Sequence, residues 1–236
     1  MNLGIIIARK NSKRLKNKNL SKIGKYNLLQ ISMIQALKVK RFKKIIINSD
    51  IPRIENYFKF LKKTDFSKII FMKRPKHLSM DKSKSVDVVI DSISKLKNHK
   101  FLTITLMLPS CPLRKASDIN KGLSKINKKI NTVISVCKTN FPPQFTFSLK
   151  NKFYLKPNFK SCPLIKNERR TQDFSNNFRP NGGFYISYID KLKKSRNFFK
   201  GKIIGVEMPV SRSIDIDTYE DLQFARIQNN KNLLNK

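Results

Sequence analysis

The stretch Leu3-Gly4-Ile5-Ile6-Ile7-Ala8-Arg9-Lys10-Asn11-Ser12-Lys13-Arg14-Leu15-Lys16-Asn17-Lys18-Asn19 decides the fold class. Leu3–Ala8 is an apolar, β-branched run, the pattern of a strand buried on both faces. It breaks off into a loop of cations and small polar groups. The carboxyl edge of an open α/β sheet is where ligands bind, so this loop sits at a binding edge. So many cations there predict a polyanion, with a nucleoside triphosphate the leading candidate. The loop lacks both G-x-x-x-x-G-K-[ST] and G-x-G-x-x-G, so side chains, not a glycine cradle, must grip the phosphates. Arg9 at the strand end and Lys18 further along are the candidate clamp. The competing reading is a solvated basic loop in a Lys-rich chain.

Further strand-like runs follow at Lys44–Asn48, Lys68–Met72, Phe101–Leu108 and Thr132–Cys137. Between them, apolar stripes predict helices at Leu28–Lys38, Ile51–Lys63, Ser85–Leu96 and Ser117–Ile130, with Asp118 in the first turn of the last. This alternation predicts an α/β fold: a Rossmann-like, three-layer, mostly parallel sheet with helices on both faces. The rhythm breaks after Lys138, where prolines, the short strands Gln144–Ser148 and Lys152–Leu155, and a polar stretch around Arg169–Asn177 suggest an irregular insertion. It is placed at about 139–200 within a single 1–236 domain. The rhythm resumes with a strand at Phe184–Ser187, a helix near Ile189–Arg196 and a strand at Lys202–Met208. A final helix opens at Thr218, and the tail Gln228–Lys236 is expected to fray.

The 236 residues are 39% hydrophobic, enough to bury a real core. Net charge is +36, but 12 of the 51 cations are Arg and 39 are Lys, scattered over every segment. They travel with excess Asn, Ile and Phe, as a base-composition bias would produce, so nucleic acid is not read as the primary ligand. Cys111, Cys137 and Cys162 are odd in number, far apart and without a C-x-x-C pair, which fits a reduced compartment and no zinc site. With only His77 and His99 present, histidine-based metal or triad chemistry is set aside. No apolar run approaches the roughly 20 residues of a membrane span. The six-residue N-terminal run has no basic residue ahead of it and is not read as a secretion signal, so the expected setting is cytoplasmic.

Four more segments carry chemistry. In Ser213-Ile214-Asp215-Ile216-Asp217-Thr218, Asp215 and Asp217 share one side of an extended segment and repel unless a cation lies between them. Such hard oxygen ligands suit Mg²⁺ shared with phosphates; the competing reading makes Asp217 or Thr218 a helix cap. Arg74-Pro75 follows the third strand, and Ser79, Asp81, Ser83 and Ser85 lead into a helix with Ser85 as candidate N-cap; Arg74 is placed to reach a base or a phosphate. Pro109-Ser110-Cys111-Pro112-Leu113-Arg114 fixes a rigid turn after the fourth strand, with Cys111 read as packing. Arg169-Arg170-Thr171-Gln172-Asp173 and Phe178-Arg179-Pro180-Asn181-Gly182-Gly183-Phe184-Tyr185 offer Asn181 and three Arg to a carboxylated, acylated ligand, or form an exposed turn into a strand. Phe198-Phe199 is read as a core edge or a partner contact.

In this order these segments resemble the acylneuraminate (CMP-sialic acid, nonulosonic acid) cytidylyltransferase family. The resemblance rests on Ala8-Arg9, Ser12-Lys13 and Lys18-Asn19; Arg74-Pro75, Leu78, Asp81 and Ser85; Pro109–Arg114; Arg179-Pro180-Asn181-Gly182 with Tyr185; and Ser213–Thr218. It implies the reaction of CTP with a nonulosonic sugar acid to give the CMP-sugar and pyrophosphate, for cell-surface polysaccharide. It puts Arg9, Ser12, Lys18 and Asn19 on the triphosphate and Arg74 and Ser85 on the cytidine and ribose. Asp215 and Asp217 would carry Mg²⁺, and Arg9, Lys18 and Asp217 the catalysis. Arg170, Asn181, Tyr185, Phe198 and Phe199 would surround the sugar acid, the Phe pair reaching in from the second subunit of a homodimer. Arg14 and Lys16 stand where the family often has Gly and Pro, and Leu108 stands where sialic acid enzymes have a Gln that contacts the sugar. Pseudaminic acid, legionaminic acid and Kdo are therefore alternative substrates. More distant alternatives are a D-x-D glycosyltransferase and a basic nucleic-acid-binding protein.

Overall fold

The computed structural model describes residues 1–96, 100–139, 141–166, 170, 174 and 176–234. The elements in chain order are β1 (Asn2–Ala8), β2 (Lys22–Ile23), β3 (Tyr26–Asn27), α1 (Leu28–Leu37), β4 (Phe42–Ser49), α2 (Lys63–Phe66), β5 (Ile69–Lys73), α3 (Ser85–Ser94), β6 (Thr103–Met107), α4 (Ala116–Lys125), β7 (Thr132–Lys138), β8 (Phe147–Lys150), β9 (Tyr154–Pro157), α5 (Pro163–Lys166), β10 (Phe178–Tyr188), α6 (Ile189–Ser195), β11 (Ile203–Glu207) and α7 (Tyr219–Leu234). Chain contacts divide the molecule into two units. One is Met1–Val136 with Pro180–Lys236; the other is Cys137–Arg179.

The first unit is a three-layer α/β sandwich around a mixed sheet of order β11-β7-β10-β6-β1-β4-β5. β1 lies between two parallel neighbours, with Ile5 opposite Ile46 of β4 and Leu106 of β6. β10 runs antiparallel to β6. The β1 pleat divides its apolar run between the layers. Ile6 and Ala8 pack with Leu29 and Met33 of α1 and Ile119 and Leu123 of α4. Leu3, Ile5 and Ile7 pack with Val86 and Val89 of α3 and Ile189 and Leu192 of α6. Period-two alternation between two buried layers explains why the run Leu3–Ala8 has no polar residue; each large apolar side chain in it contributes about 1.5–3 kcal/mol. No helix among the described residues is long and apolar enough to cross a membrane.

One expectation is corrected. Ile51–Lys63 is not an α-helix but a short 3-10 helix at Ile54–Phe58, ahead of α2. Pro52 biases Ile51 away from helical backbone, and Arg53 is left-handed at φ 49°, so an α-helix cannot propagate through this point. The apolar stripe is buried all the same, with Ile54 and Phe58 in the core. The last helix, α7, extends through Leu234 in a segment free of Gly and Pro; residues 235 and 236 lie outside the described residues.

In the second unit, β8 and β9 form an antiparallel hairpin with Leu149 opposite Leu155. Thr139 N–H donates to Asn177 O at 2.9 Å and so brings the ends of the unit together. Phe145 meets Phe174 edge to face at 5.4 Å, and Cys162 is buried. Arg169, Thr171, Gln172 and Asp173 lie outside the described residues, as does His99.

Candidate active site

The cationic loop after β1 is folded back on itself. Asn19, buried, donates its side-chain N–H to Arg9 O at 2.8 Å, and Asn17 is left-handed at φ 54°. Leu15 is the loop's apolar residue, and it packs in the same cluster as Ile214 and Ile216. That contact brings the loop to the late aspartates. Ile214 and Ile216 turn inward, so Asp215 and Asp217 turn outward together.

Lys18 Nζ lies 2.9 Å from Asp217 Oδ1, and Arg14 Nη2 lies 2.6 Å from Asp217 Oδ2. A second carboxylate, Asp81, takes Arg9 Nη1 and Lys13 Nζ, each at 2.8 Å. The hydrogen bonds from Lys13 and Arg9 outweigh desolvation and hold the Asp81 carboxyl below the usual carboxylate range. Between these groups lies a cleft of about 570 Å³ lined by Arg9, Ser12, Lys13, Arg14, Lys18, Asn19, Arg74, Ser85, Ser110 and Asp217. Six of these ten are cationic at neutral pH or amide donors, an arrangement suited to phosphates.

Arg74 is buried at the base of this cleft. Its Nε donates to Asn48 Oδ1 at 2.9 Å and its Nη2 to Asn48 O at 3.1 Å, while Asn48 also donates to Ser92 Oγ. Burial brings the Arg74 pKa down to about 10, which leaves the side chain charged at neutral pH. Ser85 is the first residue of α3, after Lys84, and is not its N-cap; its side chain lines the cleft. Thr218 is the cap of α7: Asp221 N–H donates to Thr218 Oγ1 at 3.3 Å, and Asp221 Oδ2 accepts from Asp217 N–H and Thr218 N–H. The Asp217 carboxylate is thus left to the cleft.

A second cavity of about 380 Å³ adjoins the first through Ser85 and Leu108. Its walls are Val86, Leu106, Leu108, Tyr185, Phe198 and Phe199, with Lys84, Arg196 and Asn197 at the polar side. Tyr185 stacks 5.5 Å from Phe198 and 6.0 Å from Phe199. Within its own chain Phe198 is buried against Tyr185, while Phe199 is exposed. Burial pushes the Tyr185 phenol up to about 12, with the Asp215 charge adding to it. Asn181 does not line either cavity. It is buried, donating to Ser213 Oγ at 2.8 Å and accepting from Gly183 N–H at 3.1 Å, and so supports the aspartate segment from beneath. Arg170 lies exposed in the second unit.

The donor set at Asp215 and Asp217 fits a divalent cation. Both carboxylates face outward, and Asp215 makes no hydrogen bond or ion pair among the described residues. Those residues contain no cluster of three or more His, Cys, Asp or Glu side chains. Mg²⁺ needs no such cage, since one or two carboxylates and substrate phosphates suffice. The sequence reading did not assign Arg14, Lys13, Arg196 or Lys84 to the site. Leu15, an apolar residue inside a cationic loop, was the available sign that the loop docks on something.

The profile of the cytidylyltransferase family matches residues 3–200. N-acylneuraminate cytidylyltransferase of Escherichia coli O18:K1:H7 is 27% identical over 233 residues, which are 98% of this chain and 52% of that protein. This chain thus spans about half that relative's length. Pseudaminic acid cytidylyltransferase of Campylobacter jejuni serotype O:2 is 27% identical, covering 96% of this chain and 95% of the relative. The structure of a CMP-2-keto-3-deoxy-manno-octonic acid synthetase complexed with CTP shares the fold, with TM-score 0.68 at 14% identity, over 98% of this chain and 99% of that one. The ordered motifs, the sheet with its cationic edge and the profile match agree: the chain belongs to the cytidylyltransferase family and so to the nucleotidyltransferases.

Proposed function

We propose that the protein transfers CMP from CTP to the anomeric hydroxyl of a nonulosonic (sialic acid-like) acid and releases pyrophosphate. The observation that carries this reading is the meeting of Lys18 with Asp217 at 2.9 Å in a cleft floored by Arg74. The triphosphate lies along the Arg9–Asn19 loop, where Arg9, Ser12, Lys13, Arg14 and Lys18 offer donors to its oxygens. Lys18 neutralises the charge that develops as pyrophosphate departs. Arg74 and Ser85 hold the nucleoside end. The sugar acid occupies the second cavity, its apolar substituents against Tyr185, Phe198 and Leu108 and its carboxylate toward Lys84 and Arg196. Asp215 and Asp217 would hold Mg²⁺, which when bound withdraws charge from the triphosphate. The protein's own contribution is positioning and preorganised positive charge.

A second copy of the chain is the proposed partner. In the hairpin unit, Phe153, Tyr154 and Leu155 are 82%, 71% and 67% exposed, a patch that association would cover. Three buried cysteines, far apart in the chain, support a reducing, cytoplasmic setting.

The test is pyrophosphate release from CTP with sialic, legionaminic, pseudaminic and Kdo acids in turn. Release with at least one nine-carbon acid is expected. No release with any of the four sinks the reading.

A further inference from the structure

Arg114 is the largest fully buried side chain among the described residues, at 1% exposure. Its Nη1 donates to Leu108 O at 2.6 Å and to Cys111 O at 2.8 Å, while Nε and Nη2 have no partner among the described residues. Asp118, whose charge favours the Arg114 cation, is itself engaged at both oxygens by Arg212. Desolvation lowers the Arg114 pKa to about 10, so the guanidinium stays charged at neutral pH.

An interior cation with two idle nitrogens is a costly way to stabilise a fold. Well-packed apolar side chains of similar volume are often as stable or more so. What Arg114 does hold is the turn Leu108–Cys111. Leu108 lines both cavities, and Pro109 and Ser110 line the nucleotide cleft. Ser110 O in turn accepts from Ile216 N–H at 2.8 Å, and Ile216 stands between the two outward aspartates. One guanidinium nitrogen thus pins two carbonyls that bracket Ser110, and Ser110 pins the aspartate segment.

We infer that Arg114 is a positioning residue: it sets the register of the Asp215–Asp217 segment against the nucleotide cleft, and so the placement of Asp217 opposite Lys18. The inference rests on the function proposed above only for its consequence in turnover, because its primary readout is binding. Lys, with a strongly hydrated ammonium on a flexible stem, holds the two carbonyls less rigidly than the preorganised guanidinium does.

The experiment compares wild type with Arg114→Met and Arg114→Lys. Melting temperature, Mn²⁺ binding by electron paramagnetic resonance with CTP present, and CTP affinity by calorimetry are measured, with kcat and KM where turnover is found. Arg114→Met leaves Leu108 O and Cys111 O without this donor, so it is expected to fold with a lowered melting temperature and to bind Mn²⁺ in the presence of CTP at least tenfold more weakly. Arg114→Lys is expected to fold and to bind at least threefold more weakly. Unchanged Mn²⁺ and CTP affinities in the folded variants overturn the inference, whatever happens to the melting temperature. Should Arg114→Met fail to fold, Arg114→Lys decides the matter. Wild type that turns over no sugar acid, with Mn²⁺ and CTP binding still dependent on Arg114, removes the proposed function and leaves the inference standing.

Discussion

Lys18 Nζ lies 2.9 Å from Asp217 Oδ1, although 199 positions separate the two residues in the chain. Lys18 is mostly covered and Asp217 about one-third exposed, so the pair is shielded in part but still open to the cleft. A half-open ion pair contributes little to folding, about 0–1 kcal/mol, while the same charges aimed at a departing pyrophosphate are worth much more.

Asp217→Asn and Lys18→Met separate these two contributions. Each is expected to leave the melting temperature nearly unchanged and to lower kcat/KM for pyrophosphate release by about 100-fold or more. Arg14→Met, which removes a more exposed partner of the same carboxylate, is expected to cost less than Lys18→Met. Equal losses for the two cations would place Arg14 on the same footing as Lys18.

Arg74→Met tests the floor of the cleft. It leaves Asn48 Oδ1 and Asn48 O without their donor, a cost of about 1–3 kcal/mol. CTP binding is expected to weaken along with stability, unlike in the Asp217 variant. Chemical denaturation and calorimetric CTP titration read the two effects separately.

Gly122→Ala tests the packing of α4 on the sheet. A Cβ there meets Phe184 Cε2 at 2.6 Å and Ile186 Cδ1 at 2.7 Å. Overpacking costs about 1–3 kcal/mol and exceeds the roughly 1 kcal/mol that Ala gains over Gly in a helix. The urea midpoint is expected to fall with no change in slope. A rise in the midpoint would mean the aromatic ring has room to move.

Tyr185 gives an alkaline signature. Its folded pKa is raised above its unfolded value near 10 to about 12, so the neutral phenol is favoured in the native state. Its contribution to stability is fully present below about pH 10 and is lost as pH climbs toward about 12. A difference titration of wild type against Tyr185→Phe at 295 nm is expected to show this phenol ionising last. Ionisation near pH 10 would mean the ring is wet.

The sheet was readable from the sequence because its central strands carry buried, largely apolar runs, Leu3–Ala8 in β1, Ile45–Ile47 in β4 and Ile104–Met107 in β6, the last interrupted only by the buried Thr105. The cleft was readable because Arg9, Lys18, Arg74 and Ser85 follow strand ends, where the fold places ligands. What could not be read was pairing across distance. Nothing in the order of residues says that Asp81 takes Arg9 and Lys13 while Asp217 takes Arg14 and Lys18. Nor did it show that Asn181 would be spent on Ser213 and Gly183, since an amide beside two glycines fits a ligand contact equally well. The 3-10 segment after β4 was missed because its apolar spacing is helical, and spacing alone does not separate a short 3-10 helix from an α-helix.

The strand order carries a consequence for how the chain is made. β7 reaches β6 only through β10, and the whole hairpin unit is synthesised between them. A ribosome-bound chain released before Phe178 therefore has β6 with one bare edge and β7 with nowhere to dock, a template for pairing with another molecule. Closing the interval costs little more as it lengthens, since loop entropy grows only logarithmically. Evolution could therefore enlarge or remodel the hairpin unit freely, while truncation just upstream of β10 yields aggregates rather than a smaller folded enzyme.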